Sequence, residues 1–467
     1  MVFSSSLFIF LFLPITLLGY YILKPFRNLQ NTFLLFVSLI FYAWGEPENI
    51  LLMLLSIVVN WMLGILVDKY RLNSILCKSI IIITVIFNIG LLFVYKYLNF
   101  FSSIAGIDCK SFDQLPIGIS FYTFQAMSYV LDIYRGTAKK QNNILNVALY
   151  VAFFPQLVAG PIVRYDSIAE QINNRKENFD GFVYGIYRFI IGLSKKVILA
   201  NAFAPIADFQ FSHISDLTLL SSWIGAVCYT LQIYFDFSGY SDMAIGLGAM
   251  FGFKFNENFN NPYIAKNITD FWRRWHISLS SYFRDYVYFS LGGSRVSSGL
   301  RKIFNLFVVW FLTGLWHGAN YTFIIWGMYY FILLVVEKKF LLKYFSKNFF
   351  SLILAHLYTI VSFVIGWVIF RANNLEDAYA YIIKMFGINC ELYDDFSLYI
   401  FDDIFTLLLI GIIFATPIVK NIFNYSFNRI HFIVFDFLKI SWLILLFILS
   451  VSGIVITSYN PFIYFNF

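Results

Sequence analysis

The 467-residue sequence contains few charged residues, because Asp, Glu, Lys and Arg together make up only 13% of it. Average soluble domains contain about 25% charged residues, so this chain could not cover a water-exposed surface with polar groups. Aromatic residues make up 21% and hydrophobic residues 60%, which excludes an intrinsically disordered chain. The mean hydropathy of +0.73 agrees, and the composition predicts a polytopic integral membrane protein.

Cysteine is also scarce, and Cys77, Cys109, Cys228 and Cys390 lie far apart in the chain. No CxxC pair and no cluster with histidine occurs, so the sequence predicts neither a disulfide framework nor a metal site. We interpret the four cysteines as packing residues. No block of Lys and Arg reaches five residues, so nucleic acid is not expected as a partner, although the net charge is +7.

Apolar stretches of near-spanning length recur along the whole chain. The candidate spans are 5–23, 30–45, 49–67, 79–98, 115–131, 143–161, 180–203, 217–250, 303–336, 350–370, 403–419 and 434–458. Because a crossing needs about 20 apolar residues, and some stretches are too short or too long for one crossing, we expect roughly 10–13 spans. The fold class is therefore all-α, with one membrane-embedded domain over residues 1–467.

Charge is distributed unevenly between two segments. Residues 266–302 carry seven Lys and Arg against two Asp, whereas residues 387–403 carry five acidic residues and no basic residue. Basic loops tend to stay in the cytoplasm. We therefore predict that residues 266–302 lie at the cytoplasmic face and that residues 387–403 form a loop outside.

An uncharged stretch at 303–336 contains a histidine. As one helix its 34 residues would be about 51 Å long, against a hydrocarbon core of about 30 Å. We expect a break within TGLWHGAN, where Gly314 and Gly318 loosen the helix. His317 lies in this break, and an ionisable residue at membrane depth commonly faces a cavity or a substrate path. A neutral His317 can act as a base, while the alternative is a packing histidine.

The neighbours of His317 suit a substrate site. Gly314 and Gly318 would let another backbone or a thin acyl chain come close. Asn320 can orient the imidazole or donate to an oxyanion. We expect Trp316 to form a wall of the site.

Residues 269–295 are too charged to span a bilayer. Aromatic and aliphatic residues are interleaved with arginine, a pattern typical of an amphipathic helix in the membrane interface. One interpretation is an anchor on anionic lipid, and the other is that Arg273, Arg274 and Arg284 hold the phosphates of a donor. His276 is either a second catalytic group or a hydrogen-bonding residue at the entrance.

Polar residues also lie inside other apolar stretches. Asp236 and Asp242 flank Gly239, where glycine and nearby serines predict a broken helix. A buried carboxylate usually pairs with an arginine or lines a wet cavity, and we expect one of the two to pair within residues 273–295. Gln125 either makes a hydrogen bond between helices or lines a polar tunnel.

Two motifs bring these observations together, RRWHISLSSYFRDYVYFSLGG at 273–293 and GLWHGAN at 314–320, with 41 residues from histidine to histidine. They resemble the motifs of the membrane-bound O-acyltransferase family. Within it, the chain is most similar to the bacterial alginate O-acetyltransferase branch. FFPQLVAGPIVRY and YFDFSGYSDMAIG fit that branch too, and the likeness runs nearly end to end.

The resemblance implies a helical bundle with re-entrant or interfacial segments around a central tunnel that reaches in from the cytoplasm. It implies that His317 is catalytic and that His276 is a second functional position. The implied donor is a cytoplasmic acyl thioester, acetyl-coenzyme A as a substrate rather than a bound cofactor, and the acceptor is an exported polysaccharide. A separate periplasmic acetyltransferase partner is implied as well, and the protein would lie in the bacterial inner (plasma) membrane.

Two alternatives stay open. D-alanyl transfer to a cell-envelope polymer such as teichoic acid keeps the family and changes the acyl group. A polytopic transporter or flippase with an intramembrane histidine is a different class, and it predicts internal repeats and paired carboxylates that the sequence does not display. Alginate, cellulose and peptidoglycan all fit as the acceptor, whose hydroxyl belongs to a sugar or to a partner protein.

The charge asymmetry predicts the orientation of the chain. In a variant without the four native cysteines, a single cysteine at Glu391 should react with a membrane-impermeant maleimide in intact spheroplasts. A cysteine at Ser297 should react only after the membrane is permeabilised, and permeabilised samples of both variants serve as the labelling control. Labelling of both positions from the same side would contradict the orientation.

Overall fold

The computed structural model describes residues 1–107, 115–158, 160–345, 348–427, 432–456 and 463. Every regular element within these residues is helical, which confirms the all-α class. They form two compact units, residues 1–193 with 240–257 and residues 194–239 with 258–467. Cys109 lies outside the described residues, whereas Cys77 and Cys228 are buried and Cys390 is half-buried. The single domain over residues 1–467 stays a prediction.

Six described helices are long and apolar enough to cross a membrane. They are Ile50–Lys69, Ser74–Ile104, Phe179–Ser212, Phe349–Arg371, Asp395–Ala415 and Asp436–Ile456. A shorter apolar helix covers Phe8–Ile22. Each of the seven overlaps a span predicted from the sequence, so the chain is a multi-pass membrane protein. The larger count of roughly 10–13 crossings stays a prediction.

The first unit is tied together by a buried charged network. Its α-helices are Leu13–Ile22, Arg27–Ala43, Ile50–Lys69, Ser74–Leu92, Leu98–Ile104, Ile119–Arg135, Ile144–Ala152, Phe154–Leu157, Tyr165–Asn174 and most of Phe179–Ser194, with π-helical turns at Phe8–Phe12 and Phe93–Tyr97. Arg27 donates to both carboxylate oxygens of Glu177, at 2.5 and 3.1 Å. The buried Arg175 donates to the hydroxyl of Tyr20 at 2.9 Å. These bonds satisfy charges that burial would otherwise destabilise.

The second unit contains the two histidine motifs. Its α-helices are Asn201–Ser212, most of Leu219–Met250, Ile268–Arg274, Ile277–Tyr282, Gly299–His317, Tyr321–Val336, Phe349–Arg371, Leu375–Met385, Asp395–Ala415, Ile418–Phe427 and Phe432–Ile456. Shorter turns cover Lys195–Ala200, Ile214–Asp216, Pro262–Ile264, Phe283–Tyr288 and Glu337–Leu341. Six of the α-helices begin on a side chain that accepts a backbone N–H bond, as N-cap residues do. These caps are Asn267, Ser298, Asn320, Asn348, Asn374 and Asp394.

The stretch 303–336 folds into a hairpin of two helices, Gly299–His317 and Tyr321–Val336. The predicted break is confirmed, but the expected role of Gly314 in loosening the helix is wrong. A Cβ atom on Gly314 would overlap the carbonyl oxygen of Phe323, and one on Gly327 would overlap that of Trp310. The glycines therefore allow two antiparallel backbones to pack closely, as small residues do between membrane helices.

The predicted break near Gly239 is wrong, because Leu219–Met250 is one continuous helix of 32 residues. Glycine inside a helix costs only about 0.5–1 kcal/mol relative to alanine. The side chains of Tyr234, Phe235 and Phe237 beside it are all buried, and their packing outweighs that small penalty.

Two further expectations about segments are wrong. Residues 269–295 do not form one amphipathic helix, because the chain breaks at His276, where φ is 42°. Residues 387–403 are not all loop, because a helix begins at Asp395. There Asp394 accepts the Ser397 backbone N–H at 2.8 Å and the Ser397 hydroxyl accepts the Asp394 N–H at 2.9 Å. This capping box starts the helix in polar sequence, ahead of its apolar part.

Candidate active site

His317 is the last residue of the first hairpin helix, and only 4% of it is exposed. The rings of Trp316, Trp326 and Phe370 lie edge-on to the imidazole, each with its centroid 5.0 Å away. Trp326 comes from the second hairpin helix and Phe370 from Phe349–Arg371. Three helices thus enclose the imidazole in aromatic rings that exclude water from it.

Asn320 serves the hairpin turn. Its side-chain oxygen accepts the backbone N–H of Thr322 at 3.1 Å, which caps the second helix. Its side-chain nitrogen donates to the carbonyl of Asn373 at 2.9 Å. Both ends of the amide are therefore engaged in holding the turn. The expected contact of Asn320 with substrate stays a prediction.

His276 stands between two short helices in the left-handed backbone region, which is uncommon for residues other than glycine. Asn258 holds it there. The Asn258 carbonyl accepts the backbone N–H of Ile277 at 3.0 Å, and its side-chain oxygen lies 3.1 Å from Nδ1 of His276. Ser278 donates to the same side-chain oxygen through its backbone N–H at 3.2 Å and its hydroxyl at 2.8 Å. Strained backbones of this kind cluster at functional sites.

These bonds define the tautomer of His276. The backbone N–H of Ser278 can only donate, so the Asn258 atom that it meets is an oxygen and an acceptor. Nδ1 of His276 therefore carries the proton, and the lone pair is on Nε2. Burial lowers the pKa of His276 to about 3, so the imidazole is neutral at neutral pH. A neutral imidazole in this orientation can accept a hydrogen bond at Nε2.

Trp316 connects the two histidines. Its ring centroid lies 6.1 Å from that of His276 and 5.0 Å from that of His317. The structure therefore gathers the two predicted catalytic residues and the predicted wall residue at one place, although the histidines are 41 residues apart in sequence.

Sequence reasoning missed two side chains at this place. Asn258 fixes His276, yet nothing in the motif around it distinguishes it from other asparagines. Trp326 touches His317 and is fully buried, and its indole N–H has no hydrogen-bond partner among the described residues. In the sequence, a tryptophan inside an apolar stretch looks like a packing residue. Only the position of Trp326 in the folded hairpin shows that it contacts His317.

The three predicted donor arginines differ in their surroundings. Arg274 donates to Asp270 at 2.9 Å and Arg284 donates to Asp285 at 2.8 Å, both within the same basic segment. Arg273 is exposed and forms no ion pair with the described part of the chain. A common phosphate site for the three stays a prediction.

The expected pairing of Asp236 or Asp242 with an arginine of 273–295 is wrong. In the second unit, Asp236 lies 2.6 Å from Nζ of Lys196, and both side chains are almost fully buried. In the first unit, Arg188 donates to Asp242 at 2.8 Å. The two cations lie inside the apolar stretch 180–203, and this is why sequence reasoning passed over them as partners.

Gln125, in the first unit, is fully buried, and neither end of its side-chain amide has a hydrogen-bond partner among the described residues. The predicted alternative of a hydrogen bond between helices is therefore wrong for the part of the chain described. A buried, unsatisfied amide is destabilising by about 1–3 kcal/mol unless water or a ligand meets it. The expectation that Gln125 lines a polar tunnel stays a prediction.

Comparison with known proteins gives consistent matches. The sequence model described as "MBOAT, membrane-bound O-acyltransferase family" matches residues 63–375. The "Probable alginate O-acetylase AlgI" of Pseudomonas aeruginosa is 44% identical over 399 residues, 83% of this chain and 75% of that protein. The "Peptidoglycan O-acetyltransferase" of Helicobacter pylori is 35% identical over 100% of this chain and 98% of that protein. The "Teichoic acid D-alanyltransferase" of Bacillus subtilis is 32% identical over 55% of this chain and 69% of that protein.

We expect His276 to stay neutral from about pH 8 down to about pH 5, since its pKa lies near 3 and not near the ordinary 6.5. Asn258→Asp should raise that pKa, because a neighbouring carboxylate favours the protonated ring. Side-chain ¹⁵N NMR of the five histidines across this pH range checks both, with His276→Gln to assign the signal. A midpoint near 6.5 in the wild type would contradict the buried arrangement.

Proposed function

Because the chain belongs to the membrane-bound O-acyltransferase family, we propose that it moves an acetyl group from a cytoplasmic thioester towards hydroxyls of an exported polysaccharide. The protein is a multi-pass membrane O-acetyltransferase that acts on polysaccharide. The proposed donor is acetyl-coenzyme A, used as a substrate, and the proposed location is the bacterial inner membrane. The observation that carries this proposal is the meeting of His276, Trp316 and His317 in a buried aromatic enclosure.

In the proposed mechanism, His317 acts as general base. The acceptor hydroxyl attacks the thioester carbonyl while His317 takes its proton, which gives a tetrahedral oxyanion. The carbon–sulfur bond then breaks, the ester forms, and the proton passes to the leaving thiolate. The indole N–H groups of Trp316 and Trp326 are candidate donors to the oxyanion. Asn320 is a weaker candidate, because its amide already holds the hairpin turn.

His276 is proposed as the second functional group at this place. Its proton is committed to Asn258 through Nδ1, so Nε2 can accept a hydrogen bond or a proton. Nε2 of His276 can thus hold the hydroxyl of the acceptor substrate in place for attack, or it can relay the proton of that hydroxyl. Both roles depend on the neutral imidazole that burial favours.

Relatives with complete or nearly complete coverage favour acetyl transfer. The peptidoglycan O-acetyltransferase matches 100% of this chain, whereas the D-alanyltransferase matches 55%. D-alanyl transfer therefore remains the second candidate, and family membership sets aside the transporter or flippase. We propose a polysaccharide as the acceptor without choosing one polymer, because one of these relatives is named as an alginate O-acetylase and the other as a peptidoglycan O-acetyltransferase. A separate periplasmic acetyltransferase is the proposed partner for the final transfer.

His317→Gln should lower acetylation by about 10²–10⁴-fold, the usual loss when a general base is removed. Glutamine keeps a polar side chain of similar reach but cannot accept a proton at neutral pH. The measurement is ester-linked acetate released by mild alkali from the exported polysaccharide of a host that depends on this gene. Protein amount and thermal unfolding in detergent are measured in parallel.

His213→Gln is the matched control, because His213 is an exposed histidine in the same unit, and it should acetylate normally. Wild-type acetylation by a well-folded His317→Gln protein would overturn the assignment of the base. His276→Gln in the same assay separates its two predicted roles. A loss as large as that of His317→Gln indicates a catalytic group, and a small loss indicates a hydrogen-bonding residue.

Arg273→Gln should raise the donor KM, because it removes an unpaired positive charge that can meet a donor phosphate. The test uses inside-out vesicles and labelled acetyl-coenzyme A at low and high salt. Arg301→Gln, which changes an exposed arginine outside the proposed set, is the control. Unchanged donor KM values for Arg273→Gln, Arg274→Gln and Arg284→Gln would leave this segment as a lipid anchor.

A further inference from the structure

Glu337 is a buried carboxylate that the proposed mechanism does not use. It follows the second hairpin helix directly and is fully buried. Charged side chains are almost never fully buried unless they are paired, yet Glu337 forms no ion pair with any residue that the structure describes. Its environment must therefore satisfy the carboxylate in another way.

Three hydrogen bonds from two consecutive residues meet this carboxylate. Oε2 accepts the backbone N–H of Ile268 at 2.7 Å, and Oε1 accepts the backbone N–H of Thr269 at 3.1 Å. The Thr269 hydroxyl donates to Oε1 at 2.6 Å. Backbone N–H groups at the start of a helix lack partners within the helix, and the positive end of its dipole favours an anion. Glu337 thus anchors the first turn of Ile268–Arg274.

The anchored helix leads directly to His276. One of its residues, Trp272, lies edge-on to two rings of the second hairpin helix, with centroids 5.5 Å from Trp326 and 4.8 Å from Tyr330. Trp326 in turn contacts His317. Contacts therefore run from Glu337 through the helix Ile268–Arg274 and Trp326 to His317. At the other end of the same short helix, Asn258 holds His276.

We infer that Glu337 is a positioning residue, which holds the helix Ile268–Arg274 against the hairpin and so fixes His276 relative to His317. The inference rests on the proposed acetyl transfer. A misplacement of about 1 Å in a catalytic group can lower the rate about 100-fold. A carboxylate suits this position because the backbone N–H groups of Ile268 and Thr269 meet different oxygens and can only donate. An amide at this position would turn its own N–H₂ group towards one of them.

The test compares Glu337→Gln with Thr269→Val and Thr269→Ser. Valine removes the hydroxyl bond to Glu337 at nearly constant shape, and serine restores it. Asp394→Asn is the matched control, because it makes the same change from carboxylate to amide at another helix start in this unit. For each folded protein we measure kcat, the donor KM, thermal unfolding, and hydrogen exchange of residues 275–282.

Glu337→Gln and Thr269→Val should lower kcat about 10- to 100-fold and should speed exchange at 275–282. Thr269→Ser should recover most of the rate. Asp394→Asn should keep its kcat and change thermal stability little, because asparagine caps a helix about as well as aspartate. A folded Glu337→Gln protein with wild-type kcat and exchange would overturn the inference, and so would equal losses in Thr269→Val and Thr269→Ser.

This design distinguishes failure of the positioning inference from failure of the proposed function. If Glu337→Gln does not fold, the Thr269 pair decides the question. If the wild type transfers no acetyl group, the proposed function fails. The exchange measurement then decides the inference alone, and unchanged protection of 275–282 in both Glu337→Gln and Thr269→Val would overturn it.

Discussion

The close packing of two antiparallel helices through Gly314 and Gly327 is the constraint on which the site depends. Neither glycine tolerates a Cβ atom without overlapping a backbone carbonyl of the opposite helix. Backbones that approach this closely fix the turn between them, and the turn places His317 at the end of the first helix. The same approach brings Trp326 of the second helix to 5.0 Å from the imidazole. A larger side chain at either glycine would push the two helices apart and move the His317 imidazole away from Trp326.

Two buried polar side chains of this unit, Glu337 and Asn258, accept hydrogen bonds from neighbouring donors. Glu337 accepts three hydrogen bonds from Ile268 and Thr269. The side-chain oxygen of Asn258 accepts hydrogen bonds from His276 and Ser278. In an apolar surrounding, an unsatisfied polar group is strongly destabilising, so each of these bonds restrains the backbone that provides it. The bonds to Asn258 therefore stabilise the chain and orient His276 at the same time.

Composition and motif spacing predicted much of this. The low charge predicted the membrane class, and six of the apolar stretches correspond to helices long enough to cross. The break around His317 was predicted from the length of its uncharged run. The partners of Asp236 and Asp242 were not predicted. Lys196 and Arg188 lie inside an apolar stretch, and pairing between distant residues leaves no local sequence pattern. The helix start at Asp395 was missed because a capping box depends on hydrogen bonds and not on hydropathy.

The sequence by itself determined the all-helical membrane class, the positions of most apolar helices and the two histidine motifs, because hydrophobic length and local residue order encode these directly. Only the tertiary structure decided that Trp316 touches both histidines and that Asn258 assigns the proton of His276 to Nδ1. It also decided that Glu337 anchors the helix before His276. Each of these depends on side chains brought together from distant parts of the chain, and such contacts follow from packing, which one-dimensional periodicity does not contain.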